Sequence, residues 1–187
     1  VMFLLMLLAK PIFMLLYSER WLESVPYFQI LCFAGIAICM QVLNYNAIAA
    51  IGKSRITLRW TVIKRGIGLC FIVGGLVLWG MNGLLGGMVL SSWFVYFVNA
   101  FLCDKHVGYK FMDQIKDFLP ILVLAVASAS VSFILSFTIS ALNIYISALI
   151  QLVIFVSIYW GGSVLLKMKS YKYFVENLPL IIWRLKK

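Results

Sequence analysis

The stretch NAIAAIGKS, Asn46 to Ser54, ends in the Gly-Lys-Ser that closes a nucleotide-binding P-loop. That loop needs a first glycine five positions before Gly52, a preceding strand and a following helix, so that backbone N–H groups can wrap phosphates. Ala47 occupies the glycine position, and the residues before Gly52 form a long apolar run rather than a short strand. Phosphate binding of that kind is therefore not expected. Other chemistry is equally sparse. The one histidine, His106, stands beside Asp104 and Lys105 in a polar stretch and reads as a solvated loop residue. All six acids, Glu19, Glu23, Asp104, Asp113, Asp117 and Glu176, fall outside the apolar runs, so no paired carboxylates share a buried face for acid–base work. The four cysteines, Cys32, Cys39, Cys70 and Cys103, lack the spacing of a zinc site or a disulfide framework and read as small buried hydrophobes. No catalytic residue, metal site or cofactor is expected.

The elements around these residues explain the scarcity. The 187-residue chain is 64% hydrophobic and 12% charged, against about 25% charged in ordinary soluble domains. There is too little polar surface to cover a water-soluble globule, so the chain reads as an all-α polytopic membrane protein. The net charge of +10 raises nucleic acid as a partner. The basic residues, however, cluster between apolar runs instead of spreading over a face, which fits membrane topology and excludes that class.

Ser24 to Gly52, Gly66 to Cys103 and Phe118 to Leu166 carry no charge over 29, 38 and 49 residues. A helix rises 1.5 Å per residue, and a hydrocarbon core is about 30 Å thick. The first run therefore spans once and the other two twice, breaking at WGMNGLLGG (Trp79 to Gly87) and at TISALN (Thr138 to Asn143). The opening VMFLLMLLAKPIFMLLY lacks a signal peptide's basic start and cleavage site, and reads as the end of a membrane helix entered part-way. Six spans follow, over about 1–17, 25–51, 60–79, 82–103, 119–138 and 142–165, the first truncated. A loop at 104–118 separates the first four from the last two, and a basic tail at 166–187, broken at Pro179, resembles a segment lying on anionic lipid. The chain is expected to be a fragment that does not fold stably alone.

The connections assign sidedness. Lys53, Arg55, Arg59, Lys64 and Arg65 crowd one loop; Lys105, Lys110 and Lys116 another; five lysines and Arg184 follow Ser163. The intervening turns are poor in positive charge. Under the positive-inside rule these three basic regions, the C-terminus included, are cytoplasmic. Lys53, Arg55, Arg59, Lys64 and Arg65 then serve as anchors, with Lys64 and Arg65 snorkelling to the headgroups.

Polar residues inside the spans are the remaining candidates, since such groups face a cavity or a partner helix. Ala34, Ala37, Gln41, Asn44 and Ile48 recur at three and four residues and share a face, while Asn46, about 200° from Asn44, serves another. Two readings of Gln41 and Asn44 stand: a polar strip along a translocation pathway, or ordinary interhelical hydrogen bonding. Apart from Lys64 and Arg65 at the mouth of the third span, Lys10, before Pro11, is the one charge inside a span. It either snorkels or pairs with a helix not present in this chain, or it faces a central cavity and attracts an anion. Gly83 and Gly87 form a GxxxG, and Ser128, Ser132 and Ser136 a small-residue stripe; both read as helix-packing surfaces.

Three segments carry a family resemblance. SERWLESVPYFQILCFAG (Ser18 to Gly35), LNYNAIAAIGKS (Leu43 to Ser54) and VGYKFMDQIKDFLPIL (Val107 to Leu122) resemble, in order, stretches of Wzx-type lipopolysaccharide and oligosaccharide flippases of the multidrug/oligosaccharidyl-lipid/polysaccharide exporter superfamily. The resemblance covers about Lys10 to Pro120 and continues more loosely to the end. It implies the C-terminal portion of a two-lobed transporter of 12–14 helices in the bacterial inner membrane. It also implies a task, flipping undecaprenyl-pyrophosphate-linked sugar units by alternating access. Lys10, Gln41 and Asn44 become candidates to line the substrate cavity. The partners implied are the lipid-linked oligosaccharide, membrane lipids, an N-terminal lobe of the same chain and a polysaccharide polymerase.

Two rival readings stand beside this one. A membrane polysaccharide polymerase or ligase needs a sizeable outward loop, and the largest here, Ser18 to Ser24, is short. A drug exporter of the same superfamily is expected to bury a carboxylate for cation coupling, and no span contains one.

Overall fold

The computed structural model describes residues 1–52, 54–138 and 143–166. They are almost entirely helical, with no strand among them. Four stretches are long and apolar enough to cross a membrane: Glu19–Ala50, Thr57–Val107, Phe111–Ser136 and Ile144–Leu165. Only 33% of the most apolar part of the first is buried, and 6% of the last. Apolar side chains so little covered by the protein need lipid around them, and the chain is an all-helical, multi-pass membrane protein.

The opening segment is two short helices, α1 (Met2–Leu7) and α2 (Ala9–Tyr17), parted at Leu8. Pro11 explains the break: it has no N–H to give the Leu7 carbonyl, and its ring crowds that oxygen. Ser18, at φ 69°, leads into a turn of 3₁₀ helix at Glu19–Ser24. Helix α3 (Val25–Ala50) then begins with Pro26 in its first turn, where a missing N–H leaves no bond unmade. It ends at Gly52, whose φ of +74° and N–H bond to Ala49 O (3.0 Å) close the helix in the left-handed conformation that glycine adopts freely. Gly52 of the Gly-Lys-Ser motif is thus a helix terminus preceded by a helix, which removes the P-loop on structural grounds.

Helix α4 runs from Ser54 to Val107 but reverses at Trp79 and Gly80, the latter at φ 60°, ψ −138°. It is a hairpin, with a first limb at 54–78 and a second at 81–107. The turn falls where the sequence places one. Lower down the hairpin, the expected loop at 52–65 differs: the chain resumes helix at Ser54, so Arg55, Arg59, Lys64 and Arg65 all ride on the first limb. Arginine and lysine are good helix formers, and their charge does not break a helix. The stretch 104–118 likewise differs from the expected loop. Helix continues to Val107, and α5 (Phe111–Thr138) starts after only three residues, with Gly108 at φ +80° donating to Asp104 O (3.1 Å). Helix α6 (Ile144–Leu165) opens with Asn143, whose side chain accepts from Tyr145 N at 3.2 Å.

The chain divides into two compact units at Leu119/Pro120, so 104–118 belongs with the first unit rather than separating two. In that unit, α3 packs on α4, where Ala37 meets Tyr96 and Ala100 and where Ile48 meets Leu102 and Cys103. Phe33, Trp93, Tyr96, Phe97 and Phe111 extend the contact as tilted and edge-on rings with centroids 5.3–6.3 Å apart. In the second unit, a Cβ on Gly162 of α6 would fall 2.4 Å from Leu124 Cδ1 of α5. Most of TISALN and the basic tail from residue 167 lie outside the described residues.

Candidate functional site

The polar groups of the first unit gather at the end of the hairpin away from its turn. Asn44, on α3, is only 5% exposed, and its Nδ2 donates to Gln114 Oε1 of α5 at 2.9 Å. Gln114, also buried, returns its own amide to Tyr109 O (3.0 Å) and Ala100 O (3.5 Å). One carboxamide thus joins α3, the second limb and the turn between α4 and α5. Burying an amide unpaired is costly, and here both members find partners. Beside this turn, Asp104 Oδ2 accepts from Phe111 N (3.4 Å), and Tyr109 donates its hydroxyl to Asp117 Oδ2 (2.8 Å). Burial, then that carboxylate, pushes the Tyr109 phenol up to about 12.

A second polar contact lies between the limbs. Lys64 is 5% exposed, and its ammonium donates to Asn99 Oδ1 of the second limb, itself buried. Lys64 therefore departs from the expected anchor role. Its position on the helix turns it inward, and Asn99 supplies an acceptor there, whereas the neighbouring Arg65 is exposed. Arg55 and Arg59 are exposed too, and Lys53 lies outside the described residues.

Towards the turn the limbs meet backbone to backbone. A Cβ on Gly83 would lie 2.0 Å from Gly75 O, and one on Gly87 would lie 2.3 Å from Phe71 O. Only a hydrogen fits, the geometry that small residues permit between membrane helices. Gly83 and Gly87 are therefore helix-contact residues, with partners on the preceding limb. Ser128 and Ser132 of α5 are fully buried; Ser128 Oγ returns to Leu124 O (2.8 Å), Ser132 Oγ has no partner, and the half-buried Ser136 bonds Phe133 O (2.6 Å).

The cavity candidates separate. Asn44 is spent on Gln114, the interhelical hydrogen bond of the second sequence reading; Gln41 is half-buried; Lys10 is exposed. Of the shared face, Ala34, Ala37, Asn44 and Ile48 are buried and Asn46 is exposed, as the helical period requires. His106 is half-buried at the end of the second limb instead of in a loop. Among the described residues no group of His, Cys, Asp or Glu could hold a metal. Sequence reasoning passed over Asn99, although an asparagine inside an uncharged 38-residue run, away from the Asn82 turn, is itself a signal. Gln114 was hidden by its place in an apparent loop.

An apolar groove of about 400 Å³ runs beside the glycine contact, lined by Gly74, Gly86, Leu78, Trp79 and Asn82 among others. The chain matches no protein-family model, no curated protein and no solved structure with which it was compared.

Proposed function

We propose that this chain is part of a flippase that carries undecaprenyl-pyrophosphate-linked oligosaccharide, such as an O-antigen repeat unit, across the bacterial inner membrane by alternating access. The observation that carries this reading is where the three family-like segments fall. They hold three joints of the first unit: the 3₁₀ turn before α3, the Gly52 terminus of α3, and the Gly108 turn before α5. Two of them touch, through the bond from Asn44 to Gln114. Segments that recur in order and build one set of joints support common architecture better than any one alone.

In this reading the chain crosses six times: at the segment 1–17, α3, the two limbs of α4, α5 and α6. The exposed Arg55, Arg59 and Arg65 face the cytoplasm, as does the C-terminus. An N-terminal lobe completes the transporter, and the exposed Lys10 on α2 contributes to the cavity between lobes, where a cation stabilises a pyrophosphate more strongly than in water. Gln41 is the second cavity residue; Asn44 acts through the joint it ties.

The test is deletion of the reading frame that contains this chain, followed by analysis of lipid-linked intermediates and surface polysaccharide. Accumulated lipid-linked repeat units with lost surface polymer, both restored by re-expression, are expected. Unchanged surface polysaccharide and no accumulation would overturn the proposal. Accumulated single repeat units already facing the periplasm would instead point to polymerisation.

A further inference from the structure

The hairpin α4 is built differently at its two ends. Near the turn, Gly75 meets Gly83 and Phe71 meets Gly87 through bare backbone. At Gly68 the contact becomes a side chain, since a Cβ there would lie 2.5 Å from Ser91 Oγ. At Lys64 the whole length of a lysine reaches across to Asn99. The spacer grows from hydrogen to hydroxymethyl to aminobutyl, so the limbs diverge away from the turn. Below Lys64 the same face of the first limb carries Thr61, whose Oγ1 bonds Thr57 O at 2.7 Å, and Thr57, which is buried. The wide end is therefore lined with polar groups, whereas the narrow end is apolar.

Lys64 is the closure of that wide end. Among the described residues it has no carboxylate partner; its one hydrogen bond is to the neutral Asn99. An amine with three donors and a single neutral acceptor is poorly satisfied away from water. Separating the limbs at this end gives Lys64 and Asn99 water in exchange for the hydrogen bond between them. Separating the glycine end offers no polar group any such return and forfeits dispersion contacts.

We propose that α4 is a hinged clip: the glycine contact is the fixed fulcrum, and Lys64 with Asn99 is a releasable latch whose opening admits water between the limbs at the Thr57 end. The device follows from the hairpin alone and requires no assumption about cargo, so it stands or falls independently of the flippase reading.

The test uses the full-length protein in native membrane vesicles, with its native cysteines replaced and single cysteines introduced by Thr61→Cys or Ser91→Cys. Modification by a small, charged, water-soluble thiol reagent reports water between the limbs. Thr61→Cys is expected to react measurably and Ser91→Cys at least tenfold more slowly. Lys64→Met, which keeps the side chain's bulk and removes the latch, is expected to raise the Thr61→Cys rate severalfold. Asn99→Asp, which gives the amine a counter-charge, is expected to lower it. Ser91→Cys should respond to neither. A Thr61→Cys rate indifferent to both variants overturns the latch. Equal changes at Thr61→Cys and Ser91→Cys overturn the fulcrum, because the whole hairpin would then be loosening. The opposed directions expected of Lys64→Met and Asn99→Asp keep the test decisive even where one variant folds poorly.

Discussion

Gly83 and Gly86 lie three residues apart on one limb, and the same substitution is expected to act on them with opposite sign. A Cβ added at Gly83 would stand 2.0 Å from Gly75 O and 2.8 Å from Gly75 C, with Trp79 Cβ at 2.9 Å. Carbon and carbonyl oxygen come no closer than roughly 3.3 Å even in Cα–H···O contacts, so the limbs must part by about 1.3 Å at that point. The obstacle is backbone on both sides and no rotamer relieves it. Overpacking of this kind costs about 1–3 kcal/mol, occasionally more. Alanine's better helix propensity returns up to about 1 kcal/mol, which leaves Gly83→Ala less stable by up to roughly 2 kcal/mol. At Gly86 nothing lies within 4 Å of the new methyl. Gly86→Ala keeps the propensity gain and is expected to be more stable by a few tenths to about 1 kcal/mol. The assay is reversible unfolding of the full-length protein in mixed micelles, followed by helix content, with the two variants measured side by side. The propensity gain is common to both, so a separation of about 1–3 kcal/mol between them is the expected result. Equal stability of the two variants would refute the backbone contact between the limbs and the fulcrum built on it.

Further outcomes follow from the polar groups and the turns. Asn44→Leu leaves Gln114 Oε1 without its 2.9 Å donor and is expected to cost about 1–2 kcal/mol; adding Gln114→Leu should recover part of that loss, and a double-mutant cycle with no coupling would contradict the contact. Gly80→Ala forces a methyl onto φ 60°, ψ −138°, expected to cost about 1–3 kcal/mol, whereas Gly74→Ala, with open space around it, should cost nothing; unfolding midpoints decide. For Tyr109, the phenol is held up to about 12 against an ordinary value near 10. Its folded-state preference for the protonated form thus supports stability fully below about pH 10 and is lost as pH rises towards about 12. Spectrophotometric titration should show one phenolate step near 12 that is missing in Tyr109→Phe, and an unchanged titration curve would count against the hydrogen bond to Asp117.

By itself the sequence determined where helices can form and where most of them end. Long uncharged runs leave no alternative to helix in a membrane, because every backbone group must be satisfied within its own segment. Gly52, Gly80 and Gly108 mark three chain reversals or helix ends because only glycine takes those backbone angles without strain. The buried face of α3, from Ala34 through Asn44 to Ile48, was legible because the helical period fixes which residues share a side. The same local rules misread 52–65 and 104–118 as loops. Charge and polarity mark an aqueous boundary along the helix axis, but they do not end a helix, and both stretches stay helical almost to their turns. What only the tertiary structure decided is which polar group meets which. Asn44 and Gln114 are separated by 70 residues, and Lys64 and Asn99 by 35. Hydropathy gives a residue's depth but not its angle relative to a second helix, so Lys64 was indistinguishable from its exposed neighbour Arg65 until the second limb stood beside it. Partner choice arises from the rotation and close approach of separate helices, and the glycines of the hairpin set that approach.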